Sequence, residues 1–142
     1  MVGEGVLLEC LETAAVEKVL SVSRKPVNHE HPKLEQLLVP DFRNTSDVEA
    51  KLTGYDACFY CAGVSSIGMS EADYTAITYD TPVAFATTLA RLNPTMVFVY
   101  VTGARTDSAA LDTRPHGFAL LGAVWAPRFV RSESSRGRLV TA

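Results

Sequence analysis

The sequence has little that would attach it to a membrane or to nucleic acid. None of its apolar runs reaches the roughly 20 residues that a membrane-spanning helix needs. The first residues, Met1 to Leu11, carry no basic side chain, so they do not have the charge pattern of a secretory signal. No basic stripe is present and the net charge is −3, which argues against a nucleic-acid partner. We therefore expect a cytoplasmic protein that binds neither membrane nor nucleic acid.

Cysteine is also scarce. Three residues, Cys10, Cys58 and Cys61, are too few for a disulfide framework, which favours a reducing compartment. The spacing Cys58-x-x-Cys61 is open to interpretation as a zinc or redox pair, but such a redox pair belongs at a helix N-terminus. Here it falls within a predicted strand, where a spacing of three sends the two side chains to opposite faces. His29-x-His31 resembles a metal pair, yet the sequence nearby offers no third ligand, and a solvated loop is the alternative. We predict no metal site.

What the chain does have is the composition of one globular domain. It contains 142 residues, of which 47% are hydrophobic and 20% are charged. A chain of this length buries about two-thirds of the surface that it exposes when unfolded. We therefore expect a folded chain with a sizeable core, because its composition is not that of a disordered protein.

Two apolar runs end in turns of small residues. Ala57 to Cys61 leads into Ala62-Gly63, and Met96 to Val101 leads into Thr102-Gly103-Ala104. Continuous apolar runs of this length are typical of strands that are buried on both faces of a parallel sheet. Small residues at the exits let a ligand approach the backbone, and ligands of open α/β sheets bind at this edge. The two runs therefore predict a cleft at the carboxyl ends of the strands.

The remaining patterns alternate between helix and strand. Apolar residues at 6, 7, 10, 11 and 14 predict a helix that begins within the first few residues. Strands are predicted at 18–23 and 37–39. Ser46 and Glu49 have the spacing of a capping box for a short helix to about Leu52. Ser70 is predicted to cap a further helix. Pro82 either kinks that helix or starts a second one with Thr81 as its cap, and Asn93-Pro94 is predicted to end the helical segment. No firm element is predicted for 109–142. Its end, 128–138, is predicted to be loosely ordered and basic.

The strand ends resemble the short-chain dehydrogenase/reductase superfamily, in its atypical, epimerase-like NAD(P)-binding branch. The resemblance covers residues 1–108. It is carried by five stretches in the family's order: Gly3 to Leu7, Ser23 to Pro26, Asp41-Phe42, Cys61 to Gly63 and Val101 to Ala104. It implies an α/β fold with a Rossmann-like doubly wound parallel sheet, and NADP or NAD as the cofactor.

The resemblance also implies a role for each matching residue. Gly3 is similar to the last glycine of a phosphate-binding turn at a helix N-terminus. Arg24, with Lys25, would bind the 2′-phosphate of NADP, although a solvated loop is the alternative. The other implied positions are Asp41 and Phe42 at the adenine, Ala62 and Gly63 at the adenosine ribose, and Thr102 at a reacting carbonyl.

The chain departs from the family pattern at both ends. The family's first strand and the first two glycines of its turn have no counterpart, and that strand is central in the family's 3-2-1-4-5 order. We therefore expect the first strand to be missing, which leaves strands 19–23 and 57–61 without a shared neighbour. The family's catalytic Tyr and Lys should follow Thr102, but the last tyrosine here is Tyr100 and the last lysine is Lys51. Both departures predict a truncated or altered gene model.

These observations predict a partial NAD(P)-binding domain at 1–108 and a tail at 109–142. The expected function is that of an NAD(P)-dependent oxidoreductase or epimerase, NADP-preferring and catalytically impaired, with an unknown small-molecule substrate. The alternative is a non-catalytic Rossmann-like module for sensing or interaction. A hydrolase or flavodoxin-like protein is a third reading, but the G-x-S-x-G pattern of hydrolases is absent.

Overall fold

A computed structural model describes residues 2–62, 68–101 and 137–142 of the chain. The helices are α1 (Val2–Glu12), α2 (Glu49–Leu52), α3 (Glu71–Thr75) and α4 (Thr81–Leu92). The strands are β1 (Val16–Ser23), β2 (Leu34–Leu38), β3 (Ala57–Tyr60), β4 (Val97–Tyr100) and β5 (Gly137–Thr141). A short 3₁₀ turn, Ser46–Val48, precedes α2, and a π-helical turn, Ala76–Asp80, joins α3 to α4.

The five strands form one sheet in the order β2-β1-β5-β3-β4, and all of its pairings are parallel. The fold class predicted from the sequence is therefore confirmed: the protein is α/β, consistent with a Rossmann-like fold. The predicted pairing of the two apolar runs is also present, because Cys58 lies opposite Phe98 and Tyr60 lies opposite Tyr100.

The expectation that β1 and β3 lack a shared neighbour is wrong. Strand β5 lies between them, with Leu139 opposite both Val19 of β1 and Ala57 of β3. The backbone groups along the facing edges of β1 and β3 need hydrogen-bond partners, since a buried N–H or C=O is rarely left unpaired. β5 supplies those partners from a segment, 109–142, for which the sequence predicted no firm element, and its first two residues, Gly137 and Arg138, belong to the end that was predicted to be loosely ordered.

The sheet separates two layers of core. On one face, residues of β1, β3 and β5 pack against α1; this layer contains Leu7, Cys10, Leu11, Val16, Val19, Ala57 and Leu139. On the other face, the alternate residues pack against α2 and α4; this layer includes Leu20, Val22, Leu52, Cys58, Tyr60, Phe85, Leu89 and Val140. The change of face at each step along a strand follows from the two-residue period of β structure. Helices on both faces make the sheet doubly wound.

Most predicted helix ends agree with the structure. α1 covers the predicted N-terminal helix, and α4 ends at Leu92, directly before Asn93-Pro94. Ser70 caps α3, because its hydroxyl oxygen accepts a hydrogen bond from the Asp73 N–H at 3.1 Å. Gly54 follows α2 with a φ of 90°, a left-handed conformation that favours glycine.

Three local predictions are corrected. Ser46 does not form a capping box: its hydroxyl donates to Asn44 Oδ1, and Glu49 pairs with Arg91 of α4. Thr81 is the first residue of α4 rather than its cap, and its hydroxyl donates to the Ala76 carbonyl at 2.8 Å. Strand β2 begins three residues before the predicted start and ends one before the predicted end. Within the described residues, no helix combines the length and apolar composition needed to cross a membrane.

Candidate functional site

The candidate site is the edge of the sheet where the parallel strands end. Open α/β sheets bind ligands outside the carboxyl ends of their strands. Arg24 follows β1, Asp41 and Phe42 follow β2, and Ala62 follows β3. Because all five strands are parallel, their carboxyl ends lie at one edge of the sheet, and the structure brings these exits together there.

The N-terminal turn of α1 lies against the junction of β3 and β5. A Cβ atom at Gly3 would lie 3.3 Å from Cβ of Cys61, so the glycine permits a close approach. The Cys61 N–H donates to the Ala142 carbonyl at 2.6 Å, and the Ala142 N–H donates to the Phe59 carbonyl at 3.0 Å. The amides of a helix's first turn lack partners within the helix, and the helix dipole favours an anion there. Gly3 therefore occupies a position where backbone amides can bind a phosphate.

One acidic side chain lies in that same turn. Glu4 carries a carboxylate whose Oε1 is 3.0 Å from Nε2 of His29. His29 belongs to the loop between β1 and β2, and this contact ties the loop to the start of α1. Lys33, at the end of the loop, donates from Nζ to the carbonyls of Leu11 and Thr13 at 3.1 and 2.9 Å. The loop is thus held against both ends of α1.

The predicted cofactor cations lie at the start of this loop. Arg24 and Lys25 are exposed, and the hydroxyl of Ser23 donates to the Lys25 carbonyl at 2.6 Å, which fixes the turn. Among the described residues, neither side chain forms an ion pair. Arg24 therefore presents an exposed guanidinium, with no counter-charge in the described part of the chain, at the carboxyl end of β1.

The residues after β2 have partners of their own. Arg43 binds Asp41 in a two-pronged pair, with Nε 3.1 Å from Oδ1 and Nη2 3.0 Å from Oδ2. The hydrogen bonds from Arg43 lower the pKa of the Asp41 carboxyl. Phe42 is buried, and its ring packs edge-on against Tyr60 and Phe85. Phe42 is thus a core residue as well as a neighbour of the edge.

Sequence reasoning missed two tyrosines at this edge. Tyr60 ends β3 and Tyr100 ends β4, and their ring centroids are 5.5 Å apart. The Tyr100 hydroxyl donates to the Thr78 carbonyl at 2.8 Å. Burial raises the pKa of Tyr60 to about 12, with Tyr100 and Cys58 adding to the increase and Arg24 opposing it. The signal in the sequence is a tyrosine as the last residue of both β3 and β4, because its polar tip is then placed where the strands end.

The three thiols do not form a reactive centre in the described part of the chain. Cys58 lies in the layer beside α4, whereas Cys61 faces Gly3 of α1, so the predicted opposite orientation is confirmed. Burial raises the pKa of Cys10 to about 11 and also raises that of Cys58 and Cys61. Thiols with a raised pKa are poor nucleophiles near neutral pH. The described residues contain no group of three or more His, Cys, Asp and Glu side chains placed to bind a metal. Gly63 and Thr102, two of the predicted site residues, lie outside the described residues.

No protein-family model matches the chain. The chain is 32% identical over 105 residues to the leucinostatins biosynthesis cluster protein T of Purpureocillium lilacinum. The aligned region covers 72% of this chain and 39% of that protein, so the chain spans well under half the length of that curated relative.

Proposed function

We propose that this chain binds a nicotinamide dinucleotide at the carboxyl edge of its sheet and prefers NADP to NAD. The observation that carries the proposal is the position of Arg24 at the exit of β1, on the same edge as the N-terminal turn of α1; within the described ranges its guanidinium forms no ion pair. An arginine at this point binds a phosphate monoester through two parallel hydrogen bonds, whereas a free ribose hydroxyl is bound by an acidic residue. Asp41, the nearby carboxylate after β2, is occupied by Arg43.

The pyrophosphate of the cofactor would lie at the first turn of α1. Gly3 has no side chain at this turn, and a Cβ there would lie only 3.3 Å from Cβ of Cys61; the first-turn amides would bind the pyrophosphate. The one acidic group of the turn, the Glu4 carboxylate, contacts Nε2 of His29 at 3.0 Å. Lys25, Asp41, Phe42, Ala62 and Gly63 would complete the adenosine side of the site.

Arg24→Ala tests this assignment. A hydrogen bond to a charged group contributes about 1.5–3 kcal/mol, so NADPH affinity should fall about 10- to 100-fold, while NADH affinity changes little. Arg91→Ala is the matched control. Arg91 is near the C-terminal end of α4, where it is ion-paired with Glu49. That end of α4 contacts the residues before β3, through Asn93 and Tyr55, and so lies away from the carboxyl edge of the sheet. Titration of NADPH and NADH by fluorescence measures both affinities. Absence of binding of either cofactor at millimolar concentration would refute the proposal.

For catalysis, we propose that this chain is impaired as an oxidoreductase or epimerase. The resemblance assigns Thr102 to orient a carbonyl, but reduction also needs a proton donor with a pKa near the working pH. The two tyrosines at the edge do not meet that need, since the pKa of Tyr60 is about 12 and the Tyr100 hydroxyl is bonded to Thr78. Steady oxidation of NADPH with a panel of aldehydes and ketones would contradict this part of the proposal.

The second candidate is a non-catalytic module that binds the dinucleotide for sensing or for interaction with a partner. The raised pKa of Tyr60 and of Cys61 favours it, because this tyrosine is then a poor acid and this thiol a poor nucleophile near pH 7. We place the protein in the cytoplasm, where reducing conditions keep such thiols free. The relative from Purpureocillium lilacinum, by its name, belongs to a leucinostatins biosynthesis cluster, and we propose that this chain shares the fold of the region it matches.

A further inference from the structure

Tyr60 is the most deeply buried polar side chain at the candidate site. It is 2% exposed, and its ring is surrounded by the rings of Phe42, Phe98 and Tyr100 at centroid distances of 5.5–6.0 Å. Its position as the last residue of β3 places it at the carboxyl edge, next to the exit that leads to Ala62. The aromatic surroundings exclude water from the ring.

The hydroxyl of Tyr60 has no hydrogen-bond partner among the described residues. Tyr100, the neighbouring tyrosine in the same cluster, donates its hydroxyl to the Thr78 carbonyl at 2.8 Å. A buried hydroxyl without a partner costs free energy, because it has lost its bonds to water and gained none in return. Such a group in a native fold calls for an explanation, and a ligand that supplies the missing partner is one.

A positive charge that acts on this hydroxyl indicates what the ligand is. Burial, Tyr100 and Cys58 raise the pKa of Tyr60, whereas the positive charge of Arg24 lowers it, so Arg24 acts electrostatically on the hydroxyl. Arg24 has no ion-pair partner among the described residues, and Arg43 occupies the carboxylate of Asp41. A group placed between Arg24 and Tyr60 would meet a cation and a hydrogen-bond donor, which favours an anionic oxygen.

Strand β5 sets the separation of the two residues. It lies between β1 and β3, with Thr141 opposite both Ser21 and Phe59, so the backbones of β1 and β3 run about 9.6 Å apart, or two strand spacings. By this register Arg24 lies two residues farther along its strand than Tyr60 does. A group hydrogen-bonded by both long side chains would therefore lie over the end of β5, at Ala142.

We propose that Tyr60 is a specificity-determining residue whose hydroxyl, together with the guanidinium of Arg24, binds a phosphate monoester. The inference rests on the proposed function in one respect: in NADP the group bound is the 2′-phosphate of the adenosine ribose. The same chemistry would bind a free phosphate, so the experiment includes both sources. Tyr60 donates one hydrogen bond to a phosphate oxygen, and Arg24 contributes the charge and the two-pronged contact.

The test compares Tyr60→Phe with Tyr74→Phe in the full chain. Tyr74 is an exposed residue of α3, so its variant controls for the loss of any one tyrosine hydroxyl. Calorimetric titration with NADPH, NADH and inorganic phosphate measures each affinity, and urea unfolding measures stability. Tyr60→Phe should weaken NADPH and phosphate about tenfold and leave NADH within twofold. Its stability should be equal or greater, because the variant removes a hydroxyl that has no partner among the residues that the structure describes.

Several results would overturn the inference. If NADPH binds and Tyr60→Phe leaves its affinity unchanged, or weakens NADPH and NADH equally, Tyr60 has only a packing role. If neither dinucleotide binds, the proposed function fails, and the phosphate titration decides the inference separately. Phosphate binding weakened by both Tyr60→Phe and Arg24→Ala would then uphold it. Phosphate binding that is absent, or unaffected by either change, would refute it.

Discussion

Asp56 and Arg138 exchange two hydrogen bonds across the sheet. The Asp56 N–H donates to the Arg138 carbonyl at 2.8 Å, and the Arg138 N–H donates to Asp56 Oδ2 at 2.8 Å. Asp56 precedes β3 and Arg138 belongs to β5, while the guanidinium of Arg138 lies 5.2 Å from the ring centroid of Tyr55. This pair therefore fixes the start of the central strand against its neighbour, and with it the separation of the residues at the opposite edge.

Asp56→Ala should loosen that attachment. The change removes one hydrogen bond from the backbone of β5, and an exposed bond of this kind contributes about 0.5–1.5 kcal/mol to stability. Urea unfolding followed by circular dichroism gives the free energy of unfolding. Asp47→Ala is the control, since Asp47 is an exposed acidic residue without a described hydrogen bond and should change stability by less than about 0.5 kcal/mol. Equal effects of the two variants would show that the pair does not hold β5.

Leu139→Ala tests whether β5 is part of the core. Leu139 is 4% exposed and packs in the layer beneath α1 with Val19 and Ala57. Truncation of a buried leucine costs about 2–5 kcal/mol, through lost burial and the cavity that remains. The matched control is Leu38→Ala on edge strand β2, where the leucine is 52% exposed and the loss should be well under half as large. Similar losses for both would contradict the central position of β5.

Asn93→Ala should be one of the more damaging polar substitutions. The Asn93 Oδ1 accepts hydrogen bonds from the N–H groups of Gly54 and Tyr55 at 2.7 and 3.0 Å, and its Nδ2 donates to the carbonyls of Leu52 and Leu89. Each buried amide or carbonyl left without a partner costs about 1–3 kcal/mol.

Thermal unfolding of Asn93→Ala beside Asn44→Ala measures this effect. Asn44 is exposed, and its amide oxygen accepts only from Ser46 in the described part of the chain. Asn93→Ala should lower the melting temperature by several degrees more than Asn44→Ala. A melting temperature unchanged in both variants would mean that Asn93 does not join α4 to the segment before β3.

Alkaline pH should destabilise the protein partly through Cys10. Burial raises the pKa of Cys10 from an ordinary value of 9.0 to about 11 in the folded protein. The folded state thus holds the thiol proton more tightly than the unfolded state. The resulting stabilisation is complete below pH 9 and is lost as the pH rises from 9 to about 11, at up to about 1.4 kcal/mol per pH unit.

Cys10→Ala should reduce that slope. Urea unfolding at intervals from pH 8 to pH 10.5 gives the slope for each protein. Leu11 is a neighbour of Cys10 in the same core layer, and Leu11→Ala removes packing without removing a titrating group. A plot of its free energy of unfolding against pH should therefore lie below that of the original chain and run parallel to it. If Cys10→Ala also runs parallel, the thiol does not titrate with the expected shift.

Much of the local structure could be predicted because it depends on near neighbours in the sequence. α1 follows from apolar residues at helical spacing, and β3 follows from a continuous apolar run. The cap at Ser70 and the stop at Asn93-Pro94 also depend on one or two adjacent residues. The capping box predicted at Ser46 is absent for one local and one tertiary reason. Asn44, two residues away, accepts the hydrogen bond of the Ser46 hydroxyl, and Glu49 pairs with Arg91 on α4.

The sequence could predict which residues of the candidate site follow strands, but not which side chains they contact. Arg24, Asp41 and Ala62 follow strands, so the parallel sheet brings them to one edge. Their side-chain partners are a matter of tertiary contact: Arg43 occupies Asp41, Phe42 enters the core, and Tyr60 and Tyr100 complete the edge. None of these contacts follows from spacing along the chain.

The sequence by itself determined the class of fold, a parallel α/β sheet with helices on both faces, because periodicity and capping are local properties. Only the tertiary structure decided which segment lies at the centre. Gly137–Thr141 is a short run whose own pattern does not distinguish a strand from a loop. It becomes the central strand because β1 and β3 each present a row of backbone donors and acceptors that must be paired, and β5 pairs with both.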